Sequence, residues 1–325
     1  MMTDIGNTNI VMAVLAGFAL TAAFTRLLLP ALTRFKFGQQ VREDGPRHHL
    51  AKQGTPTIGG VAIIAGFAAA ALLFGGGGRD AVAVALATLG FGAVGFLDDF
   101  IKIRKKRSLG LRAYQKIIGQ LAVSAGFLLY WRGPGIVMVP FTGMEIHMGG
   151  GIPYAALACL VFISSANGAN LTDGLDGLAS GVTAIVAAFF LAAAAVVGCP
   201  GVSPAVAAML GALLGFLLFN SHPARVYMGD TGSLALGGFV AAAALVLGLP
   251  LFLPIVAAIY VVESLSVIIQ VGYFKLTKGK RFFKMAPIHH SFELSGWPET
   301  KIVALFTIAT AIAAFVALAG LAANW

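Results

Sequence analysis

An all-α, polytopic bundle of membrane-spanning helices is the fold class this sequence predicts, on three observations. Of 325 residues, 58% are hydrophobic and only 11% charged. A soluble domain carries roughly a quarter charged residues, so this chain cannot cover a water-facing surface. Its apolar residues gather into about ten continuous runs, most near the roughly 18 residues that span a bilayer as a helix. The alternating segments of a membrane barrel are missing. Finally, Lys and Arg fall almost wholly into every second gap between the runs, the asymmetry that orients helical membrane proteins.

The runs lie at about 9–30, 56–74, 81–98, 116–131, 152–166, 177–198, 204–219, 232–248, 251–274 and 301–323. The first has no basic stretch before it and no cleavage pattern, so it reads as a retained span rather than a signal peptide. Gly248 and Pro250 mark a tight turn between the eighth and ninth runs. The gaps after odd-numbered runs, with their borders, hold every Lys and Arg except Arg79 and Arg132. Those gaps are therefore expected in the cytoplasm, and both termini on the periplasmic or extracellular side. One integral-membrane domain, 1–325, is expected. In the external gap 132–150, IVMVP, the turn signal TG and MEIHM predict a short hairpin. Gly211 and Gly215 form a GxxxG pattern that suits close helix packing, within or between chains. Cys159 and Cys199 are too few for a disulfide framework and read as packing residues.

The polar residues are placed less evenly than solvation demands. NGANLTDGLDGLASG, 167–181, sits between two apolar runs, yet carries Asn167, Asn170, Asp173 and Asp176 at three-residue spacing. On a helical turn that spacing shares roughly one face, and the glycines admit close approach to the backbone. Asp98 and Asp99 end the third run, where acids oppose the helix dipole. Asp230, in MGDTGS before the eighth run, has a capping reading that leaves its acidic company unexplained. These five aspartates would repel one another at one membrane face. A divalent cation relieves that repulsion, and magnesium takes oxygen ligands from carboxylates and phosphates. With Lys-rich loops facing the same compartment, the pattern points to metal-assisted phosphate chemistry. Glu263, midway along the ninth run, is a functional candidate by its depth, or a protonated group bonded to a neighbouring helix.

His48, His49, His289 and His290 lie in cytoplasmic gaps without zinc spacing, so phosphate contact or acid–base work is preferred. Gly90, Gly92 and Gly95 satisfy GxGxxG, but inside an apolar run with no strand before them, so the dinucleotide reading fails. No P-loop motif occurs, and no nucleic-acid partner is expected. An anionic-substrate transporter would place its acids near mid-membrane, whereas these gather at helix ends.

Together, VREDGPRHHLAKQGTPTIGG (41–60), GFLDDFIKIRKKRSLGL (95–111), NGANLTDGLDGLASG (167–181), NSHPARVYMGDTGSLALGG (220–238) and MAPIHHSFELSGWPE (285–299) resemble one family. It is the bacterial phospho-N-acetylmuramoyl-pentapeptide transferases, within the polyprenyl-phosphate N-acetylhexosamine-1-phosphate transferase superfamily. The resemblance implies transfer of phospho-N-acetylmuramoyl-pentapeptide from UDP-N-acetylmuramoyl-pentapeptide to undecaprenyl phosphate. UMP leaves, and lipid I forms for peptidoglycan synthesis. It implies Mg2+, a ten-helix fold with external termini and cytoplasmic active-site loops, a multi-pass place in the bacterial inner membrane among its lipids, and a homodimer. Carried over by motif, Asp230 is the magnesium ligand, and Asp98 and Asp99 are general base or metal partner. Lys52, Thr57, Asn167, Asn170, Asp173, Asp176 and Asn220 form a nucleotide-sugar cradle. Tyr227 lies near the uracil, Lys102 and Lys116 meet phosphates, His289 is the essential histidine and His290 its neighbour on the substrate. Ser291 departs from the pattern, standing where the family usually has a third histidine.

Overall fold

The computed structural model describes residues 2–34 (side chains from 8 onward), 54–105 and 109–322. Lys52, His48 and His49 lie outside the described residues. All ten apolar runs are helical. They form α1 (Met2–Arg34), α2 (Gly60–Phe74), α3 (Arg79–Arg104), α4 (Ala113–Trp131), α5 (Ile152–Thr172), α6 (Leu178–Val196), α7 (Ser203–Asn220), α8 (Gly229–Val246), α9 (Leu253–Val256) with α10 (Ala258–Leu276), and α12 (Glu299–Ala322). A short α11 (Ile288–Glu293) precedes the last. Eight of these helices are long and apolar enough to cross a membrane. The 15-residue α2 is short, and α4 is not among the eight. Large apolar side chains stand exposed on the outer faces, including Leu72, Leu129, Leu160, Ile268 and Phe315. That surface suits hydrocarbon, and water would penalise it.

Helix α8 is the axis, buried along almost its whole length and packed by α2, α3, α5 and α6. Its composition explains this. Without a hydrophobic drive inside lipid, helices associate through close packing of small residues, and α8 opens GDTGSLALGG. A Cβ on Gly232 would lie 3.0 Å from Gly60 Cα, one on Gly237 2.3 Å from Ala166 Cα, and one on Gly95 of α3 2.0 Å from the Asp230 carbonyl oxygen. The GxxxG pattern of α7 acts within the chain: Gly211 and Gly215 seat α1 at Val14 and Phe18.

The predicted hairpin is present. β1 (Ile136–Met138) pairs antiparallel with β2 (Glu145–His147), Val137 opposite Ile146. Met138 N–H donates to the Gly248 carbonyl at 2.8 Å, which ties the hairpin to the turn after α8. Gly248 there has φ 71°. The ninth run departs from a single helix. A 3-10 turn over Pro250–Phe252 leads into α9, and the chain breaks at Ala257 before α10. Two prolines within five residues remove the amide donors a continuous helix needs. Glu263 lies in the second turn of α10, past the break, rather than midway along one continuous helix. One turn before it, Tyr260 meets Gly168 near the end of α5 and Thr183 near the start of α6.

The contact between α3 and α8 gives a test. Gly95→Ala is expected to cost about 1–3 kcal/mol through overpacking against backbone, read as a lower thermal midpoint in detergent. Gly126→Ala, on a face of α4 with open space around it, should be neutral or stabilising by up to ~1 kcal/mol.

Candidate active site

One end of the bundle collects the polar residues. Helix α3 runs past Asp98 and Asp99 to Arg104, so the pair lies inside the last turns rather than at the terminus. The extension explains how acids are tolerated there. Lys102 falls at i+4 from Asp98 and i+3 from Asp99, with its Nζ 2.6 Å from Asp98 Oδ2 and 3.6 Å from Asp99 Oδ1. Basic Lys102 and Arg104 then meet the negative end of the helix dipole.

Asp99 belongs as much to α8 as to α3. Its Oδ1 accepts the Asp230 N–H at 3.2 Å, and its Oδ2 accepts the Thr231 N–H at 2.8 Å and the Thr231 hydroxyl at 2.7 Å. A carboxylate from another helix thus satisfies the orphan amides of an N-terminus. Gly229, at φ 68°, leaves no Cβ to strike Asp99 Oδ2, 2.6 Å from where it would stand. Asp230 is held by three partners. Lys102 and Lys116 Nζ reach its Oδ2 at 3.0 and 2.6 Å, and Asn170 Nδ2 donates to its Oδ1 at 2.9 Å and to Ser233 Oγ at 2.8 Å. Asp98 Oδ1 accepts the Leu111 N–H at 2.8 Å, fixing the loop that starts α4.

Asp98, Asp99 and Asp230 each offer an oxygen within 4.8 Å of the others. Three formal negative charges stand against two ammonium groups. An all-oxygen carboxylate set with a residual charge fits a hard divalent cation, so these residues could hold a metal ion.

The segment after α5 reaches a second group. Asp176 Oδ2 lies 3.0 Å from His222 Nδ1 and accepts the Ala224 N–H at 2.9 Å, while the Tyr227 hydroxyl donates to Oδ1 at 3.2 Å. Glu299, opening α12, accepts the Asp176 N–H at 2.6 Å and stands 3.5 Å from His222. Burial and the charge of Asp176 push the Tyr227 phenol up. Asp173 lies between the groups. Loss of water first, then the charges of Asp230, Asp99 and Asp176, hold its carboxyl well above the usual range.

Residues 81–248 match glycosyl transferase family 4. The phospho-N-acetylmuramoyl-pentapeptide-transferase of Clostridioides difficile (strain 630) is 49% identical over 319 residues, 97% of this chain and 98% of that protein. The enzyme of that name from Heliobacterium modesticaldum is 50% identical over 292 residues, 89% and 90% of the two chains. The one from Acetivibrio thermocellus is 49% identical over 307, 93% of each. The chain belongs to the phospho-N-acetylmuramoyl-pentapeptide-transferase family.

In this family member the expected residues divide into three sets. Asp98, Asp99, Lys102, Lys116, Asn170 and Asp230 converge. Thr57 joins them. Its loop is stitched to the start of α8 by Gly59 N–H to Tyr227 O (2.8 Å), Gly60 N–H to Met228 O (2.9 Å) and Tyr227 N–H to Pro56 O (2.8 Å). That stitching holds Ile58 at φ 70°, a conformation rare for a β-branched residue, and puts Thr57 Oγ1 beside Gly229. Asp173, Asp176 and Tyr227 line the adjoining group. Asn167 and Asn220 stand behind. Asn167 donates to Gln120 Oε1 at 3.0 Å. Buried Asn220 accepts from Ser180 at 2.9 Å and donates to Val226 O at 3.0 Å, supporting the loop that carries Tyr227.

The shared helical face expected for Asn167, Asn170, Asp173 and Asp176 is not realised, because α5 stops at Thr172. Asp, Asn and Gly compete poorly for helix, and Gly177 at φ 77° starts α6. Asn167 and Asn170 stay on α5, and past the turn Asp176 reaches the group around His222. Nδ1 of His290 lies 2.7 Å from Glu293 Oε2. The serine at the third histidine position is a loop clasp: Ser291 Oγ donates to Met285 O at 2.5 Å and accepts its N–H at 3.1 Å. His222, Glu299 and Gln120 escape a reading by motif. His222 and Glu299 sit in quoted segments without acidic neighbours, and Gln120 is a single amide in an apolar run.

Asp173 carries a signed prediction. A carboxyl raised in the folded state costs stability as pH climbs above its ordinary value near 3.8, because only the unfolded chain then ionises. Asp173→Asn removes that cost. With chelator present, the variant should match wild type near pH 4 and gain about 1.4 kcal/mol per pH unit above it until the folded carboxyl itself ionises. Thermal midpoints at pH 4 and 7.5 check this. Equal midpoints at both would contradict the placement of Asp173 among like charges.

Proposed function

We propose that this protein transfers phospho-N-acetylmuramoyl-pentapeptide from UDP-N-acetylmuramoyl-pentapeptide to undecaprenyl phosphate, releasing UMP and forming lipid I. The observation that carries the reading is the convergence of Asp98, Asp99 and Asp230 on Lys102, Lys116 and Asn170. It occurs in a chain about half identical, along nearly its whole length, to proteins of that name.

Both reactants are phosphate anions, so their approach is opposed by charge. Asp230, with Asp98 and Asp99 beside it, would hold Mg2+, which when bound neutralises the diphosphate and the departing UMP. Lys102 and Lys116 leave Asp230 to meet phosphate oxygens as point charges. An oxygen of the lipid phosphate attacks the sugar-linked phosphorus in line, and the bond to the UMP oxygen breaks. A phosphate dianion is already nucleophilic near neutral pH, so Asp98 serves as base for an acceptor that arrives protonated. Asp173, Asp176, Tyr227 and Thr57, with Lys52 from outside the described residues, take the nucleotide-sugar. His289 and His290 face the same substrate. The setting is a multi-pass chain in the bacterial inner membrane, one domain over 1–325, with ten spans, both termini external, the site facing the cytoplasm, and two copies to the functional unit.

The test is UMP release by purified protein given both substrates. Turnover is expected with Mg2+ and should vanish with EDTA. Asp230→Asn should stay folded and fall by at least about 10²-fold, the scale of losing a group that stabilises transition-state charge. Near-normal turnover in that variant, or indifference to EDTA, would remove Asp230 from the metal role. UMP release from UDP-GlcNAc in place of the muramoyl-pentapeptide donor would reassign the substrate.

A further inference from the structure

The reaction above leaves one buried pair unexplained. His289, in α11, and Glu263, in α10, are at most 1% exposed, and His289 Nδ1 lies 3.1 Å from Glu263 Oε1. Their other polar atoms, His289 Nε2 and Glu263 Oε2, are buried without a hydrogen-bond partner. Nε2 is turned to Gly174, in the segment between Asp173 and Asp176, where a Cβ would lie only 2.1 Å away. A glycine is therefore required at that contact. An orphaned buried nitrogen beside a substrate segment calls for an explanation. The arrangement is a histidine oriented by a carboxylate at one nitrogen and unpartnered at the other, where it packs against Gly174.

The geometry points to Glu263 as a positioning residue for the transfer: it holds the His289 ring in the Nδ1–H tautomer, keeping Nε2 as an acceptor for a hydroxyl or amide N–H of the sugar donor at the Gly174 turn. Glu263 touches no reactant itself. Its place within an apolar helix follows from this task, because α10 begins only after the break at Ala257 and so brings a carboxylate beneath α11. The His290 ring, tilted 59° to that of His289 with centroids 4.1 Å apart, further limits rotation.

This inference rests on the proposed transfer, and its test separates the two. UMP release is measured for wild type, Glu263→Ala, Glu263→Gln, His289→Ala and the double alanine variant. Glu263→Ala should lower kcat on the order of 10- to 100-fold, as loss of an orienting partner of a functional histidine does, with little change in KM for the UDP donor. Glu263→Gln, whose carbonyl still accepts from Nδ1–H, should recover most of it. Glu263→Ala should cost nothing more once His289 is alanine, as for residues acting as a unit. A residue needed only for packing would show additive losses and no rescue.

Nitrogen-15 NMR of histidine-labelled protein needs no substrate. With His289 assigned from His289→Ala, wild type should show Nδ1 protonated and Nε2 bare, and Glu263→Ala a mixture. An unchanged tautomer, an unimpaired kcat or additive losses overturn the proposal. If Glu263→Ala is not recovered folded, Glu263→Asp, with shorter reach, should give a smaller fall of the same kind; unchanged kcat and tautomer there overturn it. Absence of UMP release from wild type sinks the transfer reading, while the NMR result still decides the role of Glu263.

Discussion

The grip of Asp99 on the start of α8 is the constraint on which the rest depends. Two oxygens from α3 take two amides and a hydroxyl of α8, so the neighbouring Asp230 has its position fixed from the backbone outward. That grip forms only because the helices come within backbone contact, and they do so only because Gly95 and Gly229 carry no side chain there. Packing and chemistry are thus one feature. The small residues that let α8 sit at the centre of a bundle in lipid also set the spacing of the carboxylates.

The same geometry leaves a charge imbalance with a use. Two lysines close on Asp230 and Asp98, which spares the site most of the repulsion among three acids. Lys102 and Lys116 are 29% and 18% exposed, but Asp98 and Asp230 only 2% and 16%, so water screens these pairs only in part. In the proposed transfer, the carboxylates would take a divalent cation and the two ammonium groups would meet the diphosphate.

Much of this was legible in the sequence, and the limits are physical. Ten apolar runs became ten helical segments, the TG hairpin formed, and Gly248 turned the chain, because burial, turn chemistry and apolar length act locally. The acids at 98, 99 and 230 were recognisable as a set because apolar surroundings make any carboxylate conspicuous. Three-residue spacing suggests one helical face, but α5 ends at Thr172 because the Asp and Gly residues that follow favour a turn over helix. The second group around Asp176 depended on His222 and Glu299, which are 46 and 123 residues distant in the chain and ordinary in their own segments. The apolar run 251–274 reads as one span, and the place of Glu263 beside α11 followed only from how the break before α10 displaces the helix.

That displacement bears on why the bundle is an enzyme scaffold and not a conduit. A carboxylate within an apolar helix suggests a transport pathway when it stands at mid-membrane with others like it. Here the turn preceding Glu263 meets α5 near its end and α6 near its start, and the Glu263 carboxylate meets His289 of the short α11. A lipid phosphate lies at the membrane interface while its chain lies in hydrocarbon, and a nucleotide-linked sugar comes from water. Only an end-on site can meet both. The bundle satisfies that requirement by letting apolar helices stop where their polar partners start, so the chemistry occupies the seam between the two solvents.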